Sequence, residues 1–166
     1  MSFTTLLARH DGPVLRLTLN RPEVRNAMSL AMVLELRQAL EGAERDGSTR
    51  VVVLRGAGGH FCSGGDIKDM ATARARLADD PAALVHTNAA FGELCVAYAQ
   101  SPLAVVAVVE GTVMGGGFGL ACVADVTLAA ESVVFRLPRP AWAWCRRRSP
   151  RSWWNGWATP KPSGWP

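Results

Sequence analysis

Leu15, Leu17 and Leu19 alternate with Arg16 and Thr18, a period of two that predicts a strand with one face turned inward. Phe3–Arg9 precedes it across Asp11-Gly12-Pro13, so the first nineteen residues read as a hairpin. Beyond residue 29 the spacing changes. Met32, Val33, Leu36 and Leu40 recur at helical intervals behind Ser29, a fitting N-cap, and predict a helix to about Arg45 that Gly47-Ser48 ends. Arg50–Arg55 (RVVVLR) and Leu103–Val109 (LAVVAVV) carry short apolar runs expected of buried strands. Between them Ala71–Asp80 is polar and alanine-rich and is expected to be a mobile stretch. Ala82–Gln100 predicts a helix stopped by Ser101-Pro102. A short helix from about Gly116 to Val123 and a strand at Asp125–Ala129 follow. Strands alternating with helices make the fold class α/β.

Two glycine-rich segments interrupt this pattern, each between a strand-like and a helix-like run. The first is His60-Phe61-Cys62-Ser63-Gly64-Gly65-Asp66; the second runs from Gly111 through Gly115-Gly116-Gly117 to Gly119. Glycine lets backbone approach a ligand closely and leaves N–H groups free at a helix start. Two such loops converging on one point would aim two N–H donors at a single carbonyl oxygen, an oxyanion hole suited to a thioester enolate or a tetrahedral intermediate. A plain tight turn explains either loop alone; the pair is harder to explain that way.

With Leu19-Asn20-Arg21-Pro22-Glu23-Val24-Arg25-Asn26-Ala27-Met28-Ser29 in front of them, the two loops resemble the crotonase (enoyl-CoA hydratase/isomerase) family. The resemblance continues through Gly111–Asp125 and ends near Phe135-Arg136-Leu137-Pro138. It implies a spiral of repeated ββα units, with strands in two roughly perpendicular sheets, and an acyl-CoA thioester as substrate. It implies the N–H groups of Gly65 and Gly116 as oxyanion donors. It places Arg25, Asn26, Ala27, Ser63, Gly64, Asp66 and Ile67 along coenzyme A, with Asp66 also expected to cap the following helix. Coenzyme A would enter only as part of the substrate, with no tightly bound cofactor and no metal. A homotrimer or hexamer is implied for the family and expected to be lost here. Ser63 is a poor nucleophile candidate without a His/Asp pair at a recognisable spacing, and His60 and His86 read as non-catalytic.

The departures matter more than the matches. Hydration needs a base for water and an acid for the α-carbon. The two positions that carry these glutamates in the family hold Gly119 and Arg139 here. The prolines beside Arg139 argue against a single lost base having erased a glutamate codon. Enoyl-CoA hydration is the expected ancestral chemistry, with isomerase, hydrolase, decarboxylase or single-acid hydratase chemistry open. This chain itself is expected to be inactive.

Charge divides the sequence at the same place. Of the formal net +4, residues 1–138 contribute twelve basic and fourteen acidic groups, and residues 139–166 six basic groups and no acid. All six tryptophans lie beyond residue 140. Tryptophan has the single codon TGG. Starting each codon one base earlier turns Trp153-Trp154-Asn155-Gly156-Trp157 into Val-Glu-(Arg/Trp)-(Leu/Met/Val)-Gly. The same shift turns Trp142-Ala143-Trp144-Cys145 into Gly-(Leu/Met/Val)-Val-(Pro/Ser). Both strings are similar to the family's continuation. We therefore expect a one-base loss near Pro138–Pro140, in the gene or in its sequencing, with residues 1–138 an incomplete core and 139–166 a disordered or non-native tail.

Cys62, Cys95, Cys122 and Cys145 form no CxxC pair, and no apolar run suits a bilayer span or a secretory leader. Reduced thiols and a cytoplasmic protein are the expectation. Two other classes stay open. One is a non-enzymatic fragment whose tail (Arg146–Arg148, Arg151 and the tryptophans) binds anions or nucleic acid incidentally, with no specific nucleic acid or membrane partner expected. The other is a dinucleotide-binding module reading Met114–Gly119 as a phosphate loop, which lacks a well-placed GxGxxG and the acidic residue about 20 positions on.

Overall fold

A computed structural model describes residues 3–137, apart from the side chain of Leu84. The tail expected to be non-native, and Arg139 with it, lies outside these residues.

The alternating leucines form β2 (Val14–Leu19), antiparallel to β1 (Leu6–Asp11) across the Gly12 turn. Leu15, Leu17 and Leu19 are buried and Arg16 is exposed, as a one-sided strand requires. Helix α1 (Leu30–Asp46) starts where Ser29 Oγ accepts the Met32 N–H at 3.2 Å, and Gly47 ends it in the left-handed region. Its buried stripe of Met32, Val33, Leu36 and Leu40 lies against the sheet core. Strand β3 (Val51–Gly56) then runs parallel to β2, and β4 (Ala104–Val109) parallel to β3.

Between β3 and β4 lie α2 (Ile67–Ala75) and α3 (Ala83–Gln100). Tyr98 on α3 is buried, and its hydroxyl donates to the Leu36 carbonyl at 3.1 Å, tying α3 to α1. After β4 come β5 (Thr112–Met114), α4 (Gly116–Cys122), β6 (Val126–Ala129) and β7 (Val134–Arg136). One sheet has the order β1-β2-β3-β4-β6, and β5 pairs in parallel with β7 in a separate two-stranded sheet. β1-β2-α1 and β4-β5-α4 are thus two ββα units of the expected mixed α/β design.

Ala71–Asp80, the stretch expected to be mobile, carries regular structure: residues 71–75 complete α2, and Arg76–Ala78 form a 3-10 turn. Alanine favours helix, and Asp66 and Asp80 supply the ends, Asp80 Oδ1 accepting the Ala82 N–H at 3.0 Å. The first strand also starts later than Phe3: the Thr5 carbonyl still accepts the Asn20 N–H at 2.8 Å, but the N–H groups of Thr4 and Thr5 turn to Glu35. Glu35 accepts both backbone N–H groups and both hydroxyls at 2.6–2.9 Å. Those bonds outweigh the burial that opposes ionisation and hold the Glu35 carboxyl down to about 2.

Candidate active site

The first glycine loop is fastened by side chains of the segment before α1. Arg25 and Asn26 both adopt positive φ, 50° and 56°, a conformation that costs non-glycine residues energy and needs support. Asn26 supplies it. Fully buried, its Oδ1 accepts the Arg21 N–H at 2.9 Å, and its Nδ2 donates to the carbonyls of Ala57 (2.9 Å) and His60 (2.7 Å). Arg21 reaches the Ala27 carbonyl and Asp66 Oδ2, both at 2.7 Å. Asp66 Oδ1 accepts the Lys68 N–H at 2.8 Å and so caps α2, as expected. Burial opposes ionisation of Asp66, but the Arg21 guanidinium and the backbone N–H groups hold its carboxyl below the usual range.

Met28 forms a parallel bridge to Gly65, donating to the Gly64 carbonyl at 2.8 Å and accepting the Asp66 N–H at 3.0 Å. In such a bridge the residue opposite points its own N–H and C=O the other way. The Gly65 N–H therefore faces away from Met28, and no acceptor takes it among the described residues.

The second loop is seated on the first by close backbone approach. Cys62 donates to the Thr112 carbonyl at 3.0 Å and accepts the Met114 N–H at 2.9 Å. His60 Nδ1 accepts the Thr112 N–H at 3.1 Å, so His60 is a strut between the loops. At Gly117 an added Cβ would stand 2.5 Å from Cys62 Cβ, which is why α4 can lie on the first loop only without a side chain there. A Cβ on Gly64 would meet the Met114 carbonyl oxygen at 3.3 Å. Gly116 opens α4, where an N–H has no partner within the helix.

A cleft of about 450 Å³ lies beside this junction. Its lining includes six of the residues singled out in the sequence: Arg25, Ala27, Ser63, Gly65, Asp66 and Ile67. Asn26, Gly64 and Gly116 do not line it. The Asn26 amide is wholly committed to the loop, and Gly116 sits beyond Met114 and Gly115. The Ser63 hydroxyl donates to the Val24 carbonyl at 3.0 Å, a structural engagement. The cleft also takes in Glu23, Lys68, Thr112 and Met114, which motif reading missed; Lys68 directly follows Ile67 and adds a second cation beside Arg25.

Among the described residues, nothing titratable lies within 4 Å of a Cβ added at Gly119. The nearest atoms from elsewhere in the chain are those of the Phe91 ring, at 3.2 and 3.5 Å from the position of an added Cβ. Cys62 is buried and its thiol is pushed up to about 11, so it is inert as a nucleophile at neutral pH. Among the described residues, no three His, Cys, Asp or Glu side chains gather as metal ligands would, and no helix is long and apolar enough to cross a membrane.

Comparison with known proteins places this arrangement. Residues 9–142 match the family described as Enoyl-CoA hydratase/isomerase. A probable enoyl-CoA hydratase of Rhodobacter capsulatus is 38% identical over 135 residues, covering 81% of this chain and 49% of the relative. The mitochondrial 3-hydroxyisobutyryl-CoA hydrolase of Rattus norvegicus is 37% identical over 74% of this chain and 31% of its own length. Among solved structures, Pseudomonas aeruginosa AtuE superposes with a TM-score of 0.77 at 57% identity, covering 81% of this chain and 51% of that one. The chain thus spans about half the length of these relatives, or less.

Proposed function

The chain belongs to the enoyl-CoA hydratase/isomerase (crotonase) family, and we propose that its two loops form an oxyanion hole for an acyl-CoA thioester. The observation that carries this reading is the unengaged Gly65 N–H, turned away from Met28 in a loop whose Gly64 lies against Met114 and Gly115. The thioester carbonyl would accept from Gly65 and Gly116, and the fixed donors would stabilise the negative charge of an enolate. Coenzyme A would run along the 450 Å³ cleft, its phosphates near Arg25 and Lys68 and its pantetheine past Ala27, Ser63 and Ile67. A reducing compartment suits the unpaired thiols of Cys62, Cys95 and Cys122, and the family resemblance implies a trimer or hexamer.

Binding and enolate stabilisation are only part of a reaction. Gly119 offers no proton, and Arg139 stands where the second carboxylate belongs, so the 166-residue chain is expected to be inactive. Relatives named as hydratase, hydrolase and acyl-carrier-protein isomerase leave the ancestral reaction among those classes.

A single lost base would account for the missing carboxylate. Contrary to the expectation stated for the flanking prolines, one base suffices. The codons CCN-GAG-GCC-CGC-CTG-GGC-CTG-GTG-CCG read Pro-Glu-Ala-Arg-Leu-Gly-Leu-Val-Pro. Without the guanine that opens GAG they read Pro-Arg-Pro-Ala-Trp-Ala-Trp-Cys, the sequence at residues 138–145. One restored guanine thus returns both a glutamate at position 139 and the Gly-Leu-Val-Pro turn. The family match ends at residue 142, beside this point.

Resequencing the source DNA across codons 130–166 tests the frame. An added guanine supports it, and an unchanged read with no family-like continuation rejects it. An enoyl-CoA hydration assay tests the site: no turnover is expected from the 166-residue chain, and turnover free of contaminating enzyme would contradict its predicted inactivity.

A further inference from the structure

The side chains packed on the two donor glycines are apolar. The Phe91 ring, from the middle of α3, lies against both Gly116 and Gly119. Its atoms are 3.4 and 3.5 Å from an added Cβ at residue 116, and 3.2 and 3.5 Å from one at residue 119. Met28 Sδ is 3.6 Å from the same position at Gly116. On the first loop, Met70 Sδ is 3.5 Å from the corresponding position at Gly65. Phe91 is only partly buried, and Met70 is 53% exposed.

We propose that Phe91 is a specificity-determining residue that, with Met28 and Met70, forms an apolar wall on the acyl side of the thioester site, selecting an apolar acyl group over one with a second carboxylate. The inference rests on the thioester reading above and adds the class of acyl group. Glycine at 119 is what lets the ring lie there, because a larger side chain would enter the ring's own volume. A carboxylate on the acyl chain would lose water against this wall without gaining a hydrogen-bond donor, which disfavours it strongly. An alkyl chain would gain contact with the ring and the two thioethers.

Calorimetric titration of the full 166-residue chain with butyryl-CoA, succinyl-CoA and free coenzyme A tests the proposal, each thioester being normalised to free coenzyme A. Wild type is expected to favour butyryl over succinyl by roughly tenfold or more. Phe91→Ala should bring that preference close to parity, and Phe91→Leu, which keeps an apolar surface, should retain most of it. Gly119→Ala, which presses on the ring, should weaken butyryl-CoA severalfold. Thermal melts of each variant separate loss of fold from loss of selectivity. An unchanged preference in folded Phe91→Ala, or equal wild-type affinity for the two thioesters, would overturn the wall. Thioesters that bind no better than free coenzyme A would instead overturn the thioester reading itself, and the wall's assigned role with it.

Discussion

The two glycine loops reach the same junction by opposite means. The first is held by polar side chains: Asn26, Arg21 and Asp66 together engage five backbone groups and one another. The second is held by backbone bonds to Cys62 and His60 and by the side chains its residues lack, with Gly117 and Gly111 lying where any Cβ would collide with the first loop. One loop is built and the other is laid on it. Errors in the first should therefore propagate to the second, while errors in the second should stay local.

Asn26→Ala attacks the built loop where it is most committed. It strands the Ala57 and His60 carbonyls and the Arg21 N–H in the interior, at an expected cost of about 3 kcal/mol. Chemical denaturation should register that loss, and a change below about 1 kcal/mol would show that the network does not carry the loop. Gly117→Ala attacks the laid loop, forcing a Cβ to within 2.5 Å of Cys62 Cβ. A cost of about 2 kcal/mol is expected, with the amide resonances of residues 21–27 undisturbed. Equal disturbance there would erase the distinction between the loops.

Asp66→Asn keeps the shape and removes the charge opposite Arg21. A loss of about 1–2 kcal/mol at neutral pH is expected. Because the folded-state Asp66 carboxyl lies below its ordinary range, its contribution is complete above the unfolded pKa and fades as pH falls through the folded one. The difference between wild type and Asp66→Asn should therefore shrink in acid; a difference constant down to pH 2 would contradict the ion pair's role.

The smallest effect lies away from the loops, at Glu35. Its carboxyl drops from 4.5 to about 2 on folding, so its stabilisation is present above pH 4.5 and is lost on acidification toward pH 2. Part of the acid-induced fall in melting temperature should disappear in Glu35→Gln. An identical fall in both proteins would show that the Thr4–Thr5 clamp adds nothing.

The legibility of these features follows their range. Strand β2, helix α1 and the Ser29 and Asp66 caps depend on neighbours within a few residues, and the leucine alternation and cap chemistry announced them. Three-residue strands such as β5 and β7 are too short to show a period and exist through the Cys62 bridge and their mutual pairing. Asn26 appeared as a ligand contact because its motif could not reveal burial, whereas its partners lie 31 and 34 residues ahead. Phe91 carried no motif at all. Only the packing of α3 over α4 brings its ring to Gly116 and Gly119.

The central claim is that the two loops together polarise a thioester carbonyl. It is tested most directly by the carbon-13 NMR spectrum of acetyl-CoA labelled at its carbonyl, recorded with and without the chain. Two backbone donors acting on the oxygen predict a downfield displacement of the bound carbonyl resonance, reversed by excess unlabelled acetyl-CoA. A carbonyl that stays at its free position while the nucleotide portion is demonstrably bound would contradict the account.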